Sequence, residues 1–164
     1  SRLSPDMFAL TRQVQIACDL AKNGSARLAG VEAPRFEDNE ATIDQLKARI
    51  AKTLAFIKTA DAKAIDNAGA REITFPLGPV NKGHMKGDDY LTHFVLPNFY
   101  FHLTAAYAIL RHCGVDLGKR DFLGAIPLRM TWAEAPASAH VIFIGIAPRK
   151  SRLPTSTPQW RRIA

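Results

Sequence analysis

The histidines are the side chains whose type and spacing first suggest a chemical site. The sequence contains five: His84, His93, His102, His112 and His140. In a helix each residue turns by about 100°, so His93 and His102, nine positions apart, would lie on opposite faces. Asn98 precedes His102 by four positions and shares its face, as paired histidines do in helical metal sites. We therefore expect Asn98 and His102 to act together, and His93 to join them only if the helix bends.

The other reactive side chains are less informative. Cys18 and Cys113 form no CxxC pair and predict buried or half-buried thiols in a reducing compartment. Tyr100 and Tyr107 lie in an aromatic stripe at helical spacing, which favours core packing over a general-acid role. Phosphate-binding loops, nucleotide fingerprints and paired catalytic carboxylates do not occur in the sequence.

Two helices should precede the histidine-rich segment. Residues 4–6, Ser-Pro-Asp, are typical of a helix start, and apolar residues at helical spacing continue to Gly30, which is suited to end the helix. A second helix should begin at Thr42, which forms a capping box with Gln45. The apolar stripe of that helix comprises Ile43, Leu46, Ile50, Leu54 and Ile57. Its other face carries Lys47 and Arg49 among other basic residues, and we expect that face to be solvated.

A change of pattern separates these helices from a third. Alternating polar and apolar residues at 71–76, followed by Gly78 and Pro79, predict a short hairpin laid over the bundle end, among the softer parts of the fold. A strongly apolar helix should run from about Asp88 to His112 and end at Gly114. Pro97 lies inside it and should bend it.

Charge distribution argues against nucleic acid as a partner. Residues 1–124 contain 16 basic and 14 acidic side chains, a net charge of +2, whereas residues 125–164 contain 6 and 1, a net of +5. The excess therefore belongs to a proline-rich tail, expected to be irregular or disordered apart from one strand near 141–146. No apolar run approaches the ~20 residues of a membrane span. These features predict a cytoplasmic protein with no membrane partner.

The central segment also carries a family resemblance. The motif LPNFYFH at 96–102 is its most specific part, and further matching stretches occupy residues 5–8, 13–15, 88–91, 105–112 and 117–124. Over residues 1–124 the sequence resembles a bacterial family of unknown function within the DinB/YfiT-like four-helix bundles, a group proposed to be metalloenzymes. The resemblance implies an all-α, antiparallel helix bundle with a short hairpin insertion. It further implies that three helices are present, that the first family helix is absent, and that the tail 125–164 is unrelated to the family.

The same resemblance implies a degenerate metal site. The superfamily takes one histidine from the helix matching residues 5–29 and a histidine pair from the helix matching residues 88–113. These positions fall on Gln13 or Gln15, on Asn98 and on His102, so one imidazole of three remains. A divalent transition metal, Zn or Ni, would have to use amide oxygens, which are weak, uncharged ligands for such ions, with His93 as the remaining candidate.

Three interpretations remain open at this point. Gln13, Asn98 and His102 could form a buried hydrogen-bonded cluster with no catalytic role. They could hold a metal that activates water or a thiol, as in a DinB-type transferase or hydrolase acting on a small molecule that the sequence does not identify. Alternatively, the chain could be an interaction module that forms homodimers through apolar helix faces.

Overall fold

The computed structural model describes residues 1–124, and the tail predicted at 125–164 lies outside the described residues. Six helices, one π-helical segment and one hairpin follow one another in the described part. Their bounds are α1 Leu10–Ala29, α2 Ile43–Ile57, α3 Ala62–Asp66, β1 Glu72–Leu77, β2 Asn81–Lys86, α4 Gly87–Asp89, the π segment Tyr90–Val95, α5 Leu96–His112 and α6 Lys119–Leu123. α2 and α5 both pack against α1, which is therefore the central helix of the bundle.

α1 begins later than its sequence predicts. The predicted start at Ser4 is wrong: residues 4–7 form a turn closed by the Met7 amide, which donates to the Ser4 carbonyl at 3.0 Å. The Ser4 hydroxyl donates to the Asp6 carboxylate instead of capping a helix. The helix starts at Leu10 and ends, as predicted, at Gly30, whose φ of +74° is the left-handed conformation that glycine adopts without strain.

α2 confirms its predicted cap but not its predicted buried face. Thr42 and Gln45 form the capping box in both directions. The buried residues are Leu46, Arg49 and Thr53, whereas Ile50 and Leu54 of the apolar stripe remain 40% and 53% exposed. Arg49, predicted to face solvent, is only 2% exposed. That prediction is wrong because charged partners from α1 and from the α1–α2 linker surround this face of the helix.

The predicted hairpin is present and contributes side chains to the core. β1 and β2 pair antiparallel, with Ile73 opposite Met85. Ile73 and Phe75 are buried with Tyr90 and Val95 in the main hydrophobic cluster. Just before β1, Arg71 donates to the carbonyls of Arg27 and Leu28 at 2.9 and 2.6 Å, which satisfies acceptors at the end of α1.

The third predicted helix is present as a continuous helical run over α4, the π segment and α5. Pro97 does not interrupt a regular α-helix, because the preceding turn is π-helical and the Leu96 amide donates to the Leu91 carbonyl. Pro97 therefore occupies the first turn of α5, the position where a helix tolerates proline best. The run ends at Gly114, with φ +85°, as predicted. Within residues 1–124, no helix combines the length and apolarity needed to cross a bilayer.

An ionic network around Arg49 fixes the linker between α1 and α2. Its guanidinium donates to Glu40 and to the Glu37 carbonyl, each at 3.0 Å, and it pairs with Asp19 and Asp38, also at 3.0 Å. Burial raises the pKa of Glu40, but hydrogen bonds from Gln15 and Arg49 outweigh it, so the net pKa lies below its ordinary value. Glu40 is thus held as a carboxylate.

Replacement of Arg49 by Met should lower the free energy of unfolding by about 3 kcal/mol, since it leaves the partly buried Glu40 carboxylate without its positively charged partner. This value is the lower end of the usual range because the Asp19 and Asp38 side chains are about one-third exposed and remain hydrated. Urea denaturation of wild-type and variant chains measures the difference. The control is Lys47→Met on the same helix, which removes only an exposed pair with Asp44. Equal stability of Arg49→Met and wild type would show that the network does not stabilise the linker.

Candidate functional site

The structure brings together two of the predicted site residues, Gln13 of α1 and His102 of α5. The His102 Nδ1 atom lies 2.7 Å from Gln13 Oε1, across 89 positions of sequence. Gln13 is 1% exposed and ranks among the most completely buried side chains in the described part of the chain, and His102 is half-buried. This close packing of α1 against α5 allows a buried amide in the first turn of α1, because its polar atoms find partners.

The second hydrogen bond of Gln13 shows which ring nitrogen of His102 carries the proton. The Gln13 Nε2 amide donates to the Phe8 carbonyl at 3.2 Å, and a carbonyl can only accept. The amide oxygen therefore faces the imidazole, so Nδ1 must be the protonated nitrogen that donates to it. In a neutral imidazole the other nitrogen, Nε2, then keeps an unshared electron pair.

Electrostatics favour that neutral form. Burial lowers the pKa of the His102 imidazole, and the positive charge of Arg12 lowers it further. Arg12 is itself held by Asp38, with which it forms an ion pair, and by Gln15 Oε1 at 3.3 Å. At neutral pH, His102 is thus an uncharged base whose Nε2 carries no proton.

The remaining predicted residues do not join this pair. Asn98 is half-buried and donates through Nδ2 to the Phe94 carbonyl at 2.7 Å, and within residues 1–124 no hydrogen bond links it to Gln13 or His102. The His93 side chain is 70% exposed and lies 3.8 Å from Asp89. His93 therefore does not turn inward, so the condition set for its joining the site is not met. Gln15, the other candidate on α1, donates to Glu40 at 2.8 Å in the Arg49 network.

The cysteines show no link to the site. Cys18 is buried as predicted, and burial raises the pKa of its thiol. Cys113 is exposed, so its prediction as a buried or half-buried thiol is wrong. It follows the last residue of α5, where the chain turns out to solvent at Gly114.

Two contributors to the site could not be found by sequence reasoning. The Phe8 carbonyl, which orients Gln13, is a backbone atom in an irregular segment and has no sequence signal. Arg12 acts on His102 through space from the helix opposite. In the sequence, the one sign that Arg12 lies near the site is its position next to Gln13. A single basic residue at such a position is equally typical of a solvated helix face.

Comparison with known proteins agrees with this architecture. The family model "Domain of unknown function (DUF1993)" matches residues 1–123. The chain belongs to this family. The crystal structure of a DinB family member protein from Shewanella denitrificans is similar, with 43% sequence identity and a TM-score of 0.72, over 80% of this chain and 74% of that one. The all-α, DinB-like bundle with its small hairpin is therefore confirmed. No protein of curated function matches the chain.

The donor set does not fit the metal that the resemblance implied. Among residues 1–124, no three His, Cys, Asp or Glu side chains lie close enough to hold an ion together. Gln13 Oε1, the candidate metal ligand on α1, already accepts the hydrogen bond from His102 Nδ1. Gln13 Nε2 cannot replace it as a ligand, because it is an amide nitrogen that donates to the Phe8 carbonyl. Transition metals prefer imidazole, thiolate or carboxylate ligands, and the pair supplies one such ligand, the His102 imidazole. Gln13 and His102 therefore do not form a transition-metal site by themselves.

The lowered pKa of His102 has a consequence for stability. The unfolded chain binds this proton more readily than the folded chain, so the contribution of His102 to stability is complete above about pH 6.5. It is lost as the pH falls from there through the folded-state pKa. Denaturation of the wild type and His102→Gln between pH 7.5 and 5.5 should show a smaller loss of stability in the variant.

His93→Gln is the matched control, because that side chain is exposed and takes no part in the pair. It should lose stability with falling pH as the wild type does. The same pH slope in wild type and His102→Gln would contradict a depressed pKa at His102.

Proposed function

We propose that this DinB-like bundle protein uses His102 as a metal-independent acid–base group that accepts a proton through Nε2 from a bound small molecule. The observation that carries the proposal is the double hydrogen bond of Gln13, to the Phe8 carbonyl and to His102 Nδ1. It supports a fixed tautomer with a free Nε2, which is the form that a general base requires. Gln13 is then a positioning residue, since it acts through His102.

The surroundings of His102 support a role in binding as well. The imidazole is half-buried, so it combines partial desolvation with access from outside. The Phe101 ring meets it edge-on at a centroid distance of 5.2 Å and is itself exposed, as is Tyr100. Aromatic surface beside an uncharged base suits a substrate with an apolar part and an acidic O–H, S–H or N–H group.

The metal-dependent alternative, a transferase or hydrolase of the DinB/YfiT type, predicts a different metal content for the purified protein. On our proposal, the purified full chain should contain well under one transition-metal ion per molecule by elemental analysis, and His102→Ala should leave that content unchanged. One zinc or nickel per chain that is lost on His102→Ala would overturn the metal-independent proposal. Asn98→Ala is the control, because its side chain donates to the Phe94 carbonyl of the π segment and not to His102.

Reactivity of the imidazole provides the functional test. Diethyl pyrocarbonate acylates unprotonated imidazole nitrogen, so His102 should react at neutral pH, and the reaction can be located by peptide mass spectrometry. In a screen of small-molecule substrates, any turnover found should fall by about 10²–10⁴-fold in His102→Ala. Gln13→Leu should lower turnover and alter its pH profile. Turnover that is unaffected by His102→Ala would exclude the proposed role.

A second candidate function is self-association. Apolar side chains are exposed on one side of α5 and in the segment before α1: Tyr100, Phe101, Leu3 and Phe8. Such a patch is typical of an interface between copies of a chain. Sedimentation velocity over a hundredfold range of concentration would reveal a dimer, and Phe101→Asp should shift it towards monomer. A concentration-independent monomer would exclude this candidate.

A further inference from the structure

A polar cleft lies between the α1–α2 linker and one face of α2. Its volume is about 540 Å³, which is within the usual size range of small-molecule sites. The α2 wall consists of four residues whose spacing places them on one helix face: Gln45, Ala48, Arg49 and Lys52. The linker contributes the other side, made of Arg35, Phe36, Glu37, Asn39 and Glu40. Neither member of the Gln13–His102 pair lines this cleft, so it is a separate site.

The α2 wall presents hydrogen-bond donors that have no acceptor among residues 1–124. Gln45 Oε1 accepts from the Ala41 and Thr42 amides, which leaves its Nε2 group as a donor. Arg49 is buried, and its Nε is the guanidinium nitrogen that has no hydrogen-bond partner in this part of the chain. Lys52 is exposed, and its ammonium can only donate. Three side chains of α2 thus offer donors to one space.

The acceptors of the cleft are largely used by the protein itself. Both carboxylate oxygens of Glu40 are occupied, one by Arg49 and the other by Gln15. Glu37 accepts from Asn39 through its carboxylate and from Arg49 through its carbonyl. A molecule bound in the cleft must therefore supply acceptors, because the free groups of the α2 wall are donors.

The charges of the cleft favour an anion. The Arg49 ionic network is neutral as a whole, because three basic and three acidic side chains pair within it. The remaining charged side chains of the cleft are Arg35 and Lys52, which are positive, and Glu37, which is negative. All three are exposed, and within residues 1–124 neither cation forms an ion pair. One positive charge is therefore in excess beside the donors of α2.

We propose that this cleft binds a small organic anion whose carboxylate or phosphate oxygens accept hydrogen bonds from Gln45, Arg49 and Lys52. Arg49 Nε has almost no solvent exposure, so a ligand oxygen reaches it when the exposed side chains at the mouth move aside. Pairing this nitrogen removes the cost of an unsatisfied buried donor, and the charged contacts add to affinity. Ala48 leaves room for the ligand between these donors, since its side chain ends at Cβ.

The Gln45 side-chain amide and the Arg49 Nε–H group are direct reporters, because both give signals in ¹H–¹⁵N correlation spectra. The full ¹⁵N-labelled chain is titrated with succinate and, separately, with inorganic phosphate, with sodium chloride adjusted to hold the ionic strength constant. Both signals should shift in a saturable manner with a common dissociation constant. Local signals are required because residues 125–164 carry a net charge of +5 and can attract anions elsewhere.

Variants on α2 make the test specific. Lys52→Gln should raise the dissociation constant about fivefold. Gln45→Glu should raise it at least about tenfold, since glutamate keeps the capping box with Thr42 but replaces the amide donor by a negative charge. The matched control is Lys47→Gln, which removes one exposed charge from α2 outside the cleft and should leave the dissociation constant unchanged. His102→Ala should also retain binding, so the failure of one proposal is distinguishable from the failure of the other.

The two titrations separate the two kinds of anion. Tighter binding of succinate supports a carboxylate ligand, and tighter binding of phosphate supports a phosphate ester. An Arg49 signal that does not saturate with either anion overturns the proposal. Affinity that falls as much in Lys47→Gln as in Lys52→Gln also overturns it, since net charge rather than the cleft would then attract the anion.

Discussion

The fold depends on one constraint: buried polar side chains of α1 must find partners. Gln13 and Gln15, near the start of the central helix, and Lys22, further along it, are all buried. Burial of an unpaired polar group lowers the stability of the fold, so each of these side chains needs a hydrogen-bonding or ionic partner beside it. Gln13 requires His102 and the Phe8 carbonyl, Gln15 requires Glu40, and Lys22 pairs with Asp19 at 3.0 Å and lies 4.2 Å from the Phe36 ring centroid. α5, the linker and the segment before α1 are positioned accordingly.

The structural network and the candidate site are connected through Arg12. Asp38 binds both Arg49, which fixes the linker, and Arg12, whose charge lowers the pKa of His102. The ionic contacts that hold α1, α2 and the linker therefore also set the local field at the imidazole. A change in the linker would reach the site by electrostatics and not by contact.

Sequence patterns predicted the elements that local chemistry controls. The Thr42 capping box, the glycine ends at Gly30 and Gly114, and the hairpin are all confirmed. Failures occurred where tertiary contacts override local preference: Ser4 bonds Asp6 instead of capping, and Arg49 is buried because three carboxylates surround it. The π turn before Pro97 has no sequence signal beyond the proline itself.

The candidate site was predictable in part. Spacing and family resemblance together indicated Gln13 and His102, and the structure places them in contact. They could not indicate how Gln13 is used. A metal ligand and a hydrogen-bond acceptor for imidazole need the same oxygen, and only the position of the Phe8 carbonyl shows which role it has. Backbone atoms of irregular segments leave no pattern in a sequence.

The proposed site requires that His102 is neutral at pH 7 and carries its proton on Nδ1. Long-range ¹H–¹⁵N NMR correlation of the imidazole ring in the labelled full chain tests it most directly. We predict one protonated nitrogen, assigned to Nδ1, and one unprotonated nitrogen, assigned to Nε2. A proton on Nε2 alone, or on both nitrogens, would contradict the account.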